Sequence, residues 1–228
     1  MKILITSGGT TEKIDQVRGI TNHSSGRLGK KIAEKFLAAS HQVTLVTTAS
    51  AIKPKKRANL SIIEITDVNN LIETLEPLVK SHHVLIHSMA VSDYTPIYMT
   101  DLIEVEETSD LSQLLTKTNK ERKISSQADY QVLFLKKTPK VISLVKQWNP
   151  SIQLIAFKLL VNVSKEELFQ VARSSLKKNQ ADYILANDLT MISADKHLAY
   201  LLDDTNAYMA ETKAEIADLI FEKVRKND

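Results

Sequence analysis

The 228-residue chain has no cysteine. That excludes a disulfide framework, a thiolate metal site and a thiol nucleophile. Glycine is scarce too: there are five, where average usage would place roughly fifteen. Aromatic residues make up 5%. No run of 18 apolar residues is present to cross a membrane. The opening "MKILIT" is too short for the apolar part of a secretory signal, so the expected location is cytoplasmic. An excess of one charge is also lacking, because 30 Lys and Arg stand against 27 Asp and Glu, for a net charge of +3. This balance argues against a general nucleic-acid binder but leaves room for a local basic site that takes a phosphorylated ligand. What remains, 43% hydrophobic and 25% charged, is an ordinary globular composition.

The five glycines are placed unevenly. Gly8, Gly9, Gly19, Gly26 and Gly29 all fall in "ITSGGTTEKIDQVRGITNHSSGRLGKK". The apolar, β-branched run "KILITS" before them has the pattern of a buried strand. After them, Leu28, Ile32, Ala33, Phe36 and Leu37 recur at helical spacing. "QVTLVTT" supplies a second strand, so the chain opens with a β-loop-α-β unit of right-handed crossover. Further strands are expected over 61–65, 83–88, 131–135, 153–157 and 182–186, and helices over 67–81, 139–148, 164–179 and 211–226. Two of those helices start with a capping box, Ser164 with Glu167 and Thr212 with Glu215. The alternation predicts an α/β fold, Rossmann-like and doubly wound, with a mainly parallel sheet and helices on both faces. Residues 95–130 break the rhythm and are expected to form an irregular flap or dimerisation arm on a single domain spanning 1–228.

In such a sheet the first βα loop commonly holds phosphate. Gly8 and Gly9 follow the first strand directly, and Gly26 opens the first helix, whose N-terminus favours an anion. Thr10, Arg18, Asn22, Ser24 and Ser25 add donors between them. A dinucleotide site fits poorly. There is no G-x-G-x-x-G, the second strand ends in "VTTAS" without an acidic ribose ligand, and no tyrosine has lysine four residues later. A nicotinamide-dependent NAD(P) reductase is therefore the second reading, and a non-catalytic nucleotide-binding module a third. His83 and His87 could share a face, but the segment reads as a strand, so a metal site is not expected there.

The glycine-rich block closely resembles the N-terminal signature of phosphopantothenate–cysteine ligases, G-G-T-x-E-x-x-D-x-V-R-x-x-x-N-x-S-S-G. "MAVSDY", "KTPKVI", "AFK" and "ANDL" continue the likeness in the family's order. The resemblance implies a two-step reaction in coenzyme A biosynthesis. The carboxylate of 4'-phosphopantothenate attacks the α-phosphate of a nucleoside triphosphate, CTP in preference to ATP, and pyrophosphate leaves. The amino group of L-cysteine then displaces CMP from the acyl-nucleotide. Such chemistry depends on positioning and charge stabilisation and needs no covalent enzyme intermediate.

The resemblance also implies residue roles. Gly8, Gly9 and Thr10, with Ser24, Ser25 and Gly26, would cradle the triphosphate. Asn22 would stabilise the acyl-nucleotide, and Arg18 would contact the phosphate of substrate or intermediate. Met89 and Asp93 would lie near the nucleotide and Ala90 beside the substrate. The phosphates would carry Mg2+, with Asp93 as the one candidate protein ligand. Pro139, Lys140, Val141 and Ile142 would supply backbone contacts to the nucleotide. Phe157 and Lys158 match the base pocket, Lys177 and Lys178 the nucleotide-binding lysines, and Asn187 and Asp188 the phosphopantothenate side. The sequence departs from the pattern twice. "ERKISSQ" keeps only Lys123 of a lysine cluster on a mobile segment, and Leu160-Val161 stands where Glu-Thr is common. The resemblance further implies a homodimer. Because the chain starts at the ligase strand, it also implies a separate flavin-dependent decarboxylase acting next.

Overall fold

A computed structural model describes residues 1–193 and 195–225. In chain order its elements are β1 (Lys2–Thr6), β2 (Thr11–Lys13), β3 (Gly19–Thr21), α1 (Arg27–Ala38), β4 (Gln42–Thr47), β5 (Leu60–Glu64), α2 (Val68–Ser81), β6 (Val84–His87), β7 (Tyr94–Asp101), α3 (Leu102–Glu107), β8 (Gln131–Lys137), α4 (Val141–Trp148), β9 (Gln153–Leu160), α5 (Lys165–Asn179), β10 (Tyr183–Ile192), β11 (His197–Leu202), β12 (Ala207–Ala210) and α6 (Lys213–Arg225). A single 3-10 helix, Leu111–Thr116, lies in the arm.

Eight strands form one sheet in the order β12-β11-β10-β9-β6-β1-β4-β5. From β10 to β5 all neighbours are parallel, while β11 and β12 pair antiparallel at one edge. Alternation along the strands sorts the core onto two faces. Leu4, Leu85, Leu154 and Ile184 face α2, α4 and α5. Ile3, Ile5, Leu45, Ile86 and Ile155 face α1 and α6. Because both faces are covered, the central strands are continuous apolar runs, the expected mark of a buried parallel sheet. The Rossmann-like α/β architecture is as the sequence predicts.

Both expected helix caps form. Ser164 Oγ accepts the Glu167 N–H at 3.1 Å, and Thr212 Oγ1 accepts the Glu215 N–H at 3.1 Å while Glu215 reaches back to the Glu211 N–H at 2.9 Å. Residue 226, the expected end of the last helix, lies outside the described residues.

Three local expectations need correction. The strand expected over 131–135 forms as β8 but stands outside the main sheet, paired antiparallel with β7. Its Leu135, Lys136 and Lys137 are exposed, which a central strand does not tolerate. The segment 95–130 is correspondingly not irregular throughout, since it carries most of β7, then α3 and the 3-10 helix. Finally, the glycine-rich stretch is not one open loop. Thr11–Lys13 and Gly19–Thr21 pair as a small hairpin, and β11 and β12 extend a sheet expected to end near residue 186.

Candidate functional site

The chain leaves β1 through α1 to β4 on one side, then returns by α2 to β6 on the other side of β1. Strand order therefore reverses between β1 and β6. In open α/β sheets the ligand crevice opens at this point, beyond the carboxyl ends of the strands. A cleft of about 1450 Å³ lies there, bounded by Ser7, the His23–Gly29 turn, the His87–Asp93 loop, the start of α4, the end of β9 and one side of α5.

Its first wall is the start of α1. Gly26 occupies the N-cap position at φ 73°, a left-handed conformation that favours glycine, and no side chain caps the helix. Apart from the Arg27 N–H, which reaches Ser25 Oγ at 3.5 Å, the first-turn N–H groups of α1 have no side-chain acceptor, and an anion is their natural partner. Lys140, Lys158, Lys178 and Lys213 bring positive charge to the other walls.

Many of the residues expected from sequence meet here. Ser24, Ser25, Gly26, Met89, Ala90, Asp93, Pro139, Lys140, Val141, Ile142, Phe157, Lys158, Lys178 and Asn187 all line the cleft. Asp93 is engaged by Lys140 in an ion pair across the mouth. Asn187 donates its amide N–H to His197 Nε2 at 3.1 Å. Burial, and secondarily Lys213, pushes His197 down to about 4, so its imidazole is neutral at neutral pH.

The remainder lie outside that lining. Gly8, Gly9 and Thr10 continue the β1–β6 pairing instead of facing open space. The Ala90 N–H donates to Gly8 O at 2.9 Å, the Thr10 N–H to Ala90 O at 3.0 Å, and the Ser92 N–H to Thr10 Oγ1 at 2.9 Å. A Cβ at Gly9 would overlap the Asn22 carbonyl oxygen, so that glycine permits a close chain crossing. Asn22, half-buried at the rim, donates its side-chain N–H to Ser92 Oγ at 3.3 Å and so braces the same loop. Asp188 is buried below the cleft end and accepts four bonds, from the Asn162, Val163 and Thr190 N–H groups and the Thr190 hydroxyl. These bonds, Thr190's hydroxyl first, hold its carboxyl well below the usual range. Lys177 is exposed and does not line the cleft that its neighbour Lys178 joins.

Arg18 and Lys123 lie outside the cleft, and Arg18 bonds the residue that follows Lys123. Arg18 forks onto Asp15 at 2.6 and 3.0 Å and donates to Ile124 O at 3.0 Å, while the Ile124 N–H donates to Asp15 Oδ2 at 3.2 Å. Arg18, followed by backbone N–H groups, holds Asp15 far below the usual carboxylate range. The 122–124 segment is thereby pinned to the turn before β3.

Residue reasoning did not single out His87, Ser88 or Lys213 as cleft residues. The junction of β6 with the loop that follows brings in His87 and Ser88, and the start of α6 brings in Lys213. His83, which sequence spacing pairs with His87, instead accepts the Lys2 N–H at 2.9 Å at the opposite strand end.

The family model for the DNA/pantothenate metabolism flavoprotein C-terminal domain matches residues 1–227. The coenzyme A biosynthesis bifunctional protein CoaBC of Thermococcus kodakarensis is 31% identical over 99% of this chain and 51% of its own length. The chain thus spans about half the length of the curated relatives it matches. The crystal structure of a DNA/pantothenate metabolism flavoprotein from Streptococcus pneumoniae superposes with a TM-score of 0.96 at 56% identity, covering 100% of both chains. A Cab2 variant in complex with phosphopantothenate-cysteine shares the fold, with a TM-score of 0.74 at 19% identity over 99% of this chain and 85% of that one. The chain belongs to the family of the DNA/pantothenate metabolism flavoprotein C-terminal domain.

Proposed function

We propose that this protein is a phosphopantothenate–cysteine ligase of coenzyme A biosynthesis that works through an acyl-nucleotide formed from CTP. The observation that carries the reading is the position of the cleft in a chain of this family: it opens at the strand switch point against an uncapped helix N-terminus, and four lysines outnumber the carboxylates of Asp93, Glu166 and Glu167 along its walls. A triphosphate is the ligand whose charge such a set neutralises. Lys140, Lys158 and Lys178 would hold the phosphates, and Phe157 would lie against the base. Asn187 and Ala90 would orient the phosphopantothenate carboxylate, with Met89 beside the nucleotide. Holding carboxylate and α-phosphorus together lowers the entropic part of the first barrier, and the fixed N–H groups stabilise charge as it develops.

Asp93 is committed to Lys140, and among the described residues no group of three or more His, Asp or Glu could hold a metal. The residues present do not fit a protein-held ion, so Mg2+ would arrive on the triphosphate. Arg18 and Lys123 lie outside this chain's cleft. The exposed apolar side chains of the arm support a homodimer, and the enzyme would act in the cytoplasm.

The test combines the protein with 4'-phosphopantothenate, Mg2+ and either CTP or ATP, following pyrophosphate release and then cysteine-dependent amide formation. Both steps with CTP support the proposal. Tight NADPH binding with neither step would overturn it in favour of a reductase. Asn22→Asp should retain pyrophosphate release and accumulate acyl-nucleotide, and an unchanged amide yield would remove Asn22 from the second step.

A further inference from the structure

We propose that His87 is a ligand-binding group of the cleft, its imidazole Nε2–H donating to an oxygen of a phosphate group bound there on the side of α4. His87 ends β6 directly opposite Thr6 of β1, so the pair straddles the switch point. Thr6 is fully buried, and its Oγ1 accepts the Met89 N–H at 3.3 Å. The hydroxyl's own proton then has one acceptor in reach, His87 Nδ1 at 2.8 Å. With Nδ1 accepting, the ring proton sits on Nε2.

His87 is 7% exposed, and no protein group among the described residues partners Nε2. Nor is Nε2 among the sealed, unpartnered atoms, so it keeps contact with open space. The open space that His87 lines is the cleft. An N–H donor that opens onto the cleft and has no protein partner is free to bond a ligand oxygen.

The surroundings select the oxygen's chemistry. A Cβ at Gly29, in the first turn of α1, would overlap Ser7 Oγ and come within 3.2 Å of Ser88 Oγ. Ser88 therefore lies under the uncapped, partly positive end of α1. His87, which shares its strand face with Thr6, Leu4 and Leu85, enters the same cleft from the side of α4, whose first turn also lines the cleft without a side-chain cap. Burial pushes His87 down to about 4, so at neutral pH it offers a hydrogen bond without a charge of its own. The lysines supply the charge at the walls, and His87 fixes the depth at which the phosphate sits. The inference rests on the ligase reading only for the ligand's identity, because a nucleotide triphosphate and the 4'-phosphate of phosphopantothenate offer the same oxygen.

Long-range ¹H–¹⁵N spectra of the labelled full chain test this directly. Free protein should show His87 as the Nε2–H tautomer. Separate titrations with CTP, 4'-phosphopantothenate and inorganic pyrophosphate should shift its Nε2 resonance for at least one probe, and the responding probe identifies the source of the phosphate. His87→Leu should weaken that probe's Kd roughly ten- to hundredfold. His87→Gln, which places an amide N–H near the same point, should restore most of it. An Nδ1–H tautomer, no shift with any probe, or equal losses in the two variants would overturn the proposal. A shift with pyrophosphate in a protein that makes no amide would overturn the ligase reading and leave the His87 site standing.

Discussion

The floor of the cleft and the arm from Tyr94 to Lys137 follow each other in sequence but are built in opposite ways. The floor is sealed. Thr6, Ser7, Thr10, His87 and Ser92 are all buried, and their hydrogen bonds run between neighbouring chain segments. The arm turns much of its apolar surface outward, with Ile103 64%, Leu111 51%, Leu115 54% and Tyr130 72% exposed. Leu114 and Ile124 are the apolar side chains it buries among the described residues. Its own ties are polar and converge on Glu104, which accepts from Tyr98 Oη at 2.8 Å, from Thr100, and from Lys117 at 2.5 Å. A sealed floor keeps donors at fixed positions, as catalysis by positioning requires. An arm with little core of its own suits contact with another surface.

The comparison can be broken first at the floor, where Gly9→Ala should have the largest effect. The added Cβ meets a backbone carbonyl, which cannot rotate away as a side chain would. A loss of about 3 kcal/mol or more in chemical denaturation is expected. A loss below about 1 kcal/mol would mean that the loop is looser than the arm.

Next comes a pH effect. His87 has a folded value lowered from 6.5 to about 4, so the unfolded chain takes up a proton that the native floor resists. Stability is complete above pH 6.5 and falls through the window from 6.5 to 4, by roughly 3 kcal/mol for this residue. His197 acts in the same direction. His87→Leu should flatten the stability profile in that window, and an unchanged slope would show the ring to be charged or solvated. The depressed carboxylates of Asp15 and Asp188 cost stability only at lower pH, as they are protonated below the ordinary carboxylate range.

The two regions also differ in how much of them the sequence discloses. The floor belongs to the sheet, and "KILITS", "HVLIHS" and "QLIAF" declare it because a strand covered on both faces has to be apolar throughout. Ser164 and Thr212 declare their helices because capping is local chemistry. Gly9 shows the limit of such reading. Its position in a glycine-rich loop pointed to phosphate, and nothing in the sequence signalled that it also permits a close crossing with Asn22, thirteen residues on. His87 was hidden for a related reason: its partner Thr6 is 81 residues away, joined to it by strand order alone. The arm was obscure because β7 is half-buried along nearly its whole length and β8 ends in three consecutive exposed residues, so no period of two emerges.

Two smaller predictions concern the arm. Glu104 has its carboxyl lowered to about 2, by Lys117 first and then by Thr100 and Tyr98. Its side chain is 32% exposed, so solvent screens much of that interaction. Glu104→Ala should cost about 1 kcal/mol, felt as faster amide exchange in β7 and α3 with little change at β1 or β6. Exchange that rises equally in both regions would show that arm and sheet unfold together.

The smallest effect on the chain's own stability is expected at Ile103. Its side chain contributes little to the fold of one copy, so Ile103→Asp should change stability by no more than about 0.5 kcal/mol. If the arm is the contact between copies, the same variant should lower the apparent mass in sedimentation or light scattering, because a carboxylate placed in an apolar interface loses hydration without gaining a partner. A large loss of stability in a protein that is already monomeric would instead make Ile103 part of the arm's own core. The arm would then resemble the floor more closely than its exposure indicates.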